Sequence, residues 1–317
     1  VVWNGYVYIG SQDNQVYQLN ASNITQKIAN FSTGGYVQSS PAVANGYVYV
    51  GSYDNNVYQL NATNISQKIA NFTTGSSVFS SPAIANGYVY IGSYDNQVYQ
   101  LNATNISQKI ANFSTGGNVD SSPAVANGYV YIGSWDRNLY QLNASNISQL
   151  IASYIAGQAG QGIRYSSPAV ANGYVYVGYQ NQNLYQLNAS NVSQFIANHS
   201  TGNSFYSSPA VANGYVYVAS MDNSVYQLNA SNISQIISSY TTSGQVASSP
   251  AVANGFVYIG SYDKQVYQLN ASNISQKIAN FSTRDYVYSS PAVANGYVYI
   301  GGGDNQTYQL NATNISL

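Results

Sequence analysis

The side chains in this sequence best placed for covalent chemistry are asparagines. Asn-x-Ser/Thr, with x not proline, is the acceptor triplet for an N-linked sugar, in which the Asn amide nitrogen carries the glycan. The phrase YQLNATNIS at positions 58–66 holds two such triplets, beginning at Asn61 and Asn64, and it recurs eight times with almost no change. The second Asn of each pair is Asn23, Asn64, Asn105, Asn146, Asn191, Asn232, Asn273 or Asn314. Further triplets begin at Asn30, Asn71, Asn112, Asn198 and Asn280, and one more at Asn305. Asn is also a good turn former, because its side chain bonds the local backbone and it tolerates the left-handed conformation.

Other reactive groups are scarce. There is no Cys and no Glu, and His199 is the single histidine. Seven of the nine aspartates, Asp13, Asp54, Asp95, Asp136, Asp222, Asp263 and Asp304, stand at one repeated position, which Asn181 fills in the remaining copy. An acid followed by polar residues at such a position is ordinary turn chemistry. His199 replaces the Phe31-type residue of the other copies with no carboxylate or thiol beside it in sequence, so packing is the expected role. No phosphate-binding glycine loop or Ser-His-Asp set stands out. No catalytic, cofactor-binding or metal-ligating residue is therefore expected, and the chain does not read as an enzyme.

The elements that carry these residues follow from an internal repeat. Asn-Gly-Tyr/Phe begins at Asn4, Asn45, Asn86, Asn127, Asn172, Asn213, Asn254 and Asn295, at a spacing of 41 residues with one step of 45. Each unit divides into four short strands. SPAVA leads into the two-residue hairpin turn Asn45-Gly46. YVYVG alternates aromatic and aliphatic residues, so both of its faces are apolar. SYDN turns into NVYQLN, and ATNIS turns into QKIANF. No helical periodicity occurs. Four antiparallel strands per ~40 residues, repeated eight times, describe an all-β, eight-bladed β-propeller. An open solenoid would need atypical capping repeats, and neither end has one. Residues 1–317 read as a single propeller domain.

The unit SSPAVANGYVYVGSYDNNVYQLNA resembles the PQQ-like (quinoprotein-type) propeller repeat along the whole chain. That family includes quinone-dependent dehydrogenases, a bacterial outer-membrane assembly lipoprotein and surface proteins without cofactor, so the resemblance implies the fold and not an activity. Two departures stand out. The family's Trp near the end of the fourth strand is Ala29, Ala70 and Ala111 here, so blade docking should pass to Tyr and Phe31-type aromatics. The family's third turn is shorter than LNATNIS. The first Asn of the pair replaces a family Asp, whereas nothing in the family pattern demands the added Asn-Ile-Ser. The second Asn is thus the expected acceptor within each turn, one sugar per turn because two would crowd, and the fourth-strand Asn30, Asn71, Asn112, Asn198 and Asn280 are candidate acceptors as well. The acidic and vicinal-Cys sites of the dehydrogenases have no counterpart, which leaves a quinone enzyme as a distant third reading.

Composition narrows the role. Charged residues are 5 % of the chain and the net charge is −1, which excludes electrostatic capture of nucleic acid or an anionic membrane as the main activity. Hydrophobic residues make up 45 %, enough for a packed core, and no apolar run approaches the ~20 residues of a membrane span. The Tyr/Asn/Ser/Thr-rich, Cys-free composition is similar to that of exported archaeal surface proteins, and glycans would supply the solubility that charge normally gives.

Differences among copies mark two further surfaces. Tyr53, Tyr94, Trp135 and Tyr262 precede the turn aspartates, and Asp120 and Tyr165 precede the SSP words. With Arg137 and Arg164 they form a candidate ligand face for sugars or a protein partner. On the outer strand, Lys27, Lys68, Lys109 and Lys277 give way to Leu150, Phe195 and Ile236 in the fourth, fifth and sixth copies. Lysine on an edge strand discourages association, so the apolar trio is a candidate rim interface. The eighth blade should lack its outer strand, to be completed by a continuation of the chain or by a neighbour. The expected protein is an extracellular, N-glycosylated structural or interaction propeller, with no cofactor, in a surface layer, filament or adhesion assembly containing protein partners or copies of itself. The runner-up is a binding module using the aromatic face.

Overall fold

The computed structural model covers residues 1–317 and contains strands but no helix. Seven four-stranded antiparallel sheets and one three-stranded sheet follow one another, each meandering from an inner to an outer strand. This is the eight-bladed β-propeller fold, and the three-stranded blade is the eighth, Ala292–Ala294, Tyr297–Gly301 and Thr307–Asn311. The chain falls into two units of four blades each, Val1–Arg164 and Tyr165–Leu317.

The second blade shows how sequence makes the unit. Asn45 and Gly46 lie at φ 52° and 80°, the left-handed pair that a two-residue hairpin needs and that Asn-Gly tolerates. They join the inner strand Ala42–Ala44 to Tyr47–Gly51, with Ala44 opposite Tyr47. The third strand is Asn56–Asn61 and the outer strand Lys68–Thr73. The inner strand is shorter than SPAVA suggests, because the serines before it bond to other groups. Ser39 Oγ accepts the Gly51 N–H, and the Ser40 N–H donates to Ser81 Oγ of the next blade.

The core lies between blades. Tyr8 and Val16 of the first blade close on Val48, Val50 and Leu60 of the second, and clusters of the same kind recur along each unit. Each such aliphatic side chain contributes roughly 1.5–3 kcal/mol on burial. Two residues after Ala29, Phe31 meets Tyr58 of the next blade edge-on at 5.1 Å, and Phe72–Tyr99 and Phe113–Tyr140 repeat the contact. These aromatic pairs tie each outer strand to the following blade. The outer strand carries a β-bulge. Gln59 faces Ala70 and Leu60 faces Lys68, so Ile69 is the extra residue and is left half-exposed.

Candidate functional site

Within each four-blade unit, the third turn of a blade is held by the blade before it. Tyr49 donates its hydroxyl to the Ala103 carbonyl at 2.5 Å. Gln59 Nε2 donates to Ala103 O at 3.1 Å and Thr104 O at 3.3 Å, and Gln59 Oε1 accepts the Ile106 N–H at 3.2 Å. Ile106 itself is fully buried in the cluster between the two blades. The same tyrosine-and-glutamine lock joins the first blade to the second, the third to the fourth, and the successive blades of the second unit. The added Asn-Ile-Ser therefore has a structural reason that the sequence did not reveal: its isoleucine is a plug. The available signal was a glutamine repeated without exception in the middle of an apolar strand.

Within this turn the two asparagines differ in their free atoms. Asn61 Oδ1 accepts the Thr63 N–H and hydroxyl at 2.9 and 2.8 Å, while its Nδ2 donates to Gln67 Oε1 at 3.0 Å. Asn64 Oδ1 accepts the Ser66 N–H and hydroxyl at 3.2 and 2.7 Å, and its Nδ2 has no protein partner. The pattern at the second Asn recurs in all eight turns, at Asn23, Asn105, Asn146, Asn191, Asn232, Asn273 and Asn314. The outer-strand asparagines are tied instead. Asn30, Asn71, Asn112, Asn198 and Asn280 each donate Nδ2 across to the third strand at 2.8–3.1 Å. Of these two sets, only the second Asn of each turn offers an unengaged acceptor nitrogen.

At the opposite end of the blade, the aspartates close the second turn. Asp95 Oδ1 accepts the Gln97 N–H at 3.1 Å, and Oδ2 accepts the Tyr99 hydroxyl and the Gly75 N–H, both at 2.6 Å. Gly75 belongs to the connection that enters the blade. Burial, and then the bond to Asp95, push the Tyr99 hydroxyl well above its ordinary range. At Asp304, burial opposes ionisation, but bonds from Tyr308 and from the Arg284 and Gln306 N–H groups outweigh it and hold the carboxyl below its ordinary value. Asn181 substitutes with its own bonds to Tyr185 and the Asn183 N–H. No three of the His and Asp side chains gather into a group able to hold a metal. The seven repeated carboxylates are engaged in the hydrogen bonds of their own second turns. His199 packs edge-on against Tyr226 at 4.9 Å, in the Phe31-type place. Burial lowers its pKa, partly opposed by Asp222, and its Nε2 has no partner.

The candidate ligand residues divide between the units. In the first unit they stack on one another. Phe79 lies 4.0 Å from the Tyr53 ring and 4.1 Å from Tyr94, Tyr94 meets Trp135 at 5.4 Å, and the Arg164 guanidinium covers Trp135 at 3.6 Å. Asp120 is buried and accepts the Tyr94 hydroxyl at 3.4 Å, and Arg137 donates to Gly157 O. Rings that cover one another have less face to offer a ligand. The second unit is more open. Tyr165 stands 5.0 Å from Tyr206 and Tyr262 stacks on Tyr286 at 5.5 Å, while Tyr165, Tyr286 and Tyr288 are each about half exposed. Burial and the nearby Tyr288, Tyr206 and Tyr165 raise the Tyr262 pKa. Tyr206 and Tyr288 precede SSP words, as Tyr165 does, whereas nothing in the repeat marks Tyr286. At the rim, Leu150, Phe195 and Ile236 are exposed, each beside an exposed bulge isoleucine, Ile151, Ile196 or Ile237.

Residues 1–194, 145–248 and 194–277 match the family described as outer membrane protein assembly factor BamB. No curated protein sequence matches the chain. Among solved structures it is similar to the computationally designed Ika8 protein, with a TM-score of 0.84 and 13 % identity over 98 % of this chain and 94 % of that one. It is also similar to BamB from Moraxella catarrhalis, with a TM-score of 0.79 and 14 % identity over 97 % and 91 % of the two chains. At these identities the likeness to the solved structures is one of fold.

Proposed function

We infer the role of this protein from the premise that the chain belongs to the family of the outer membrane protein assembly factor BamB, the PQQ-like repeat propellers. The fold is consistent with a protein-interaction module. The finer reading is a non-catalytic, N-glycosylated propeller outside the cell, serving as a structural or interaction component of a surface assembly. One observation carries it: every third turn presents an Asn-x-Ser/Thr triplet whose Nδ2 is unengaged, while the amide nitrogens of the outer-strand asparagines are bonded within the blade. A sugar at the second Asn leaves every hydrogen bond of the turn in place. A sugar at Asn71 would break a bond between strands.

Intact mass of native material before and after deglycosylation, followed by peptide mapping, tests this reading. Sugar is expected on several of the second-position asparagines and little on Asn71-type residues. An unmodified native chain, or sugar concentrated on the outer strands, would remove the reading.

The exposed tyrosines of the second unit support a second reading, a binding module for neutral sugars. It predicts that a glycan array gives a specific signal that is lost in a Tyr286→Ala, Tyr288→Ala variant. A blank array would exclude it for the sugars displayed.

A further inference from the structure

We propose that the outer strands of the fifth and sixth blades form a contact between two copies of this chain. The proposal rests on the reading of the protein as an assembly component and gives that assembly a surface and a partner. The two strands, Asn191–Ser200 and Asn232–Thr241, run beside one another in the second unit. They present Phe195, Ile196, Ile236 and Ile237, which are between 41 and 53 % exposed. Phe195 meets Tyr185 edge-on at 6.4 Å, which fixes one side of the ring and leaves about half of the residue in water.

Charge selects the occupant. Neither strand contains Asp, Lys or Arg, and His199 is buried with a lowered pKa. The first, second, third and seventh blades carry Lys27, Lys68, Lys109 and Lys277 at the position of Phe195 and Ile236, all exposed. A two-fold contact brings like surfaces together. Lysine-bearing rims would then set ammonium groups against each other, whereas the rim of the fifth and sixth blades pairs with itself without that repulsion. A strongly charged partner would find no counter-charge there.

Ile196 and Ile237 are the extra residues of β-bulges, which interrupt the strand edge. The contact is therefore made by side chains and not by strand addition. The surface is also clear of the expected modification. Asn198 is tied to Asn183, and Asn191 and Asn232 lie four residues before Phe195 and Ile236, about 13 Å along the strand.

Sedimentation velocity across a concentration series of the whole purified chain tests the proposal, with a Phe195→Lys, Ile236→Lys variant beside the wild type. Four other blades hold lysine at this position, so the variant should fold, and circular dichroism verifies that it does. The wild type is expected to dimerise, and the variant to do so at least about tenfold more weakly. Replacing Lys68 and Lys109 by Phe and Ile should add self-association. A wild type that stays monomeric at every concentration, or a folded variant that dimerises equally well, overturns the proposal. Glycan mass read on the same sample keeps the two ideas separate. An unmodified chain that still dimerises removes the glycosylation reading alone, and a modified chain that stays monomeric removes the contact alone.

Discussion

Between pH 10 and 12 the protein should unfold in one cooperative alkaline transition. The cause is a set of fully buried tyrosines, Tyr8, Tyr49, Tyr90, Tyr131 and Tyr217, whose hydroxyls burial pushes up to about 12, with a smaller contribution from the tyrosine two residues before each. Such a group holds its proton in the folded state and releases it near pH 10 once unfolded. The folded state thus binds more protons in that window, and stability falls as pH rises. The stabilisation is complete below about pH 10 and is lost as pH climbs through the folded value. A shift of two units corresponds to roughly 2–3 kcal/mol per tyrosine. Two or three of them therefore match the ~5–15 kcal/mol that holds a typical domain together. Tyrosinate absorbance near 295 nm and far-ultraviolet circular dichroism should change together. Smooth phenolate titration around pH 10 with the strand signal intact would show that these hydroxyls are not held as described.

The second large effect belongs to the interblade glutamine. Gln59→Leu keeps the volume and removes the amide. It leaves the buried Ile106 N–H without its acceptor and deprives Thr104 O of a donor, while Ala103 O keeps the Tyr49 hydroxyl. An orphaned buried donor costs about 1–3 kcal/mol, and with the lost bonds the variant should be about 2–4 kcal/mol less stable. The sixth blade supplies an internal control. There Ser238 Oγ also accepts the Ile274 N–H, at 3.0 Å, beside Gln227 Oε1 at 3.3 Å. Gln227→Leu should therefore cost at least about 1 kcal/mol less than Gln59→Leu. Urea denaturation of both variants decides the matter, and equal losses would contradict the assignment of the cost to the orphaned N–H.

Much of the fold was open to reading because its signals are local. Asn45-Gly46 declares a hairpin within two residues, YVYVG declares a strand buried on both faces, and the 41-residue spacing declares the blade. What escaped were contacts between residues 44–54 apart, such as Gln59 with Ala103 and Tyr49 with the same carbonyl. A repeat repeats everything, so a buried plug like Ile106 and an exposed residue like Ile69 recur equally faithfully. Copy number cannot separate them, and only the register of the outer strand and its bulge show which is which. The aromatic face was legible as a set of residue types but not as a geometry. Whether Tyr94 faces a ligand or Phe79 depends on where two different blades place their loops.

The lock between blades also has a direction in time. Within each four-blade unit these bonds run from a tyrosine or glutamine to a turn 44–54 residues later in the chain. During synthesis, the acceptor for one blade emerges little more than one repeat after the donor, and that pair can close without waiting for the C-terminal half. Short sequence separation keeps the entropy of closure low and favours rapid folding. The propeller is thus wired for growth from its first blade onward, each finished blade acting as the template on which the next turn docks.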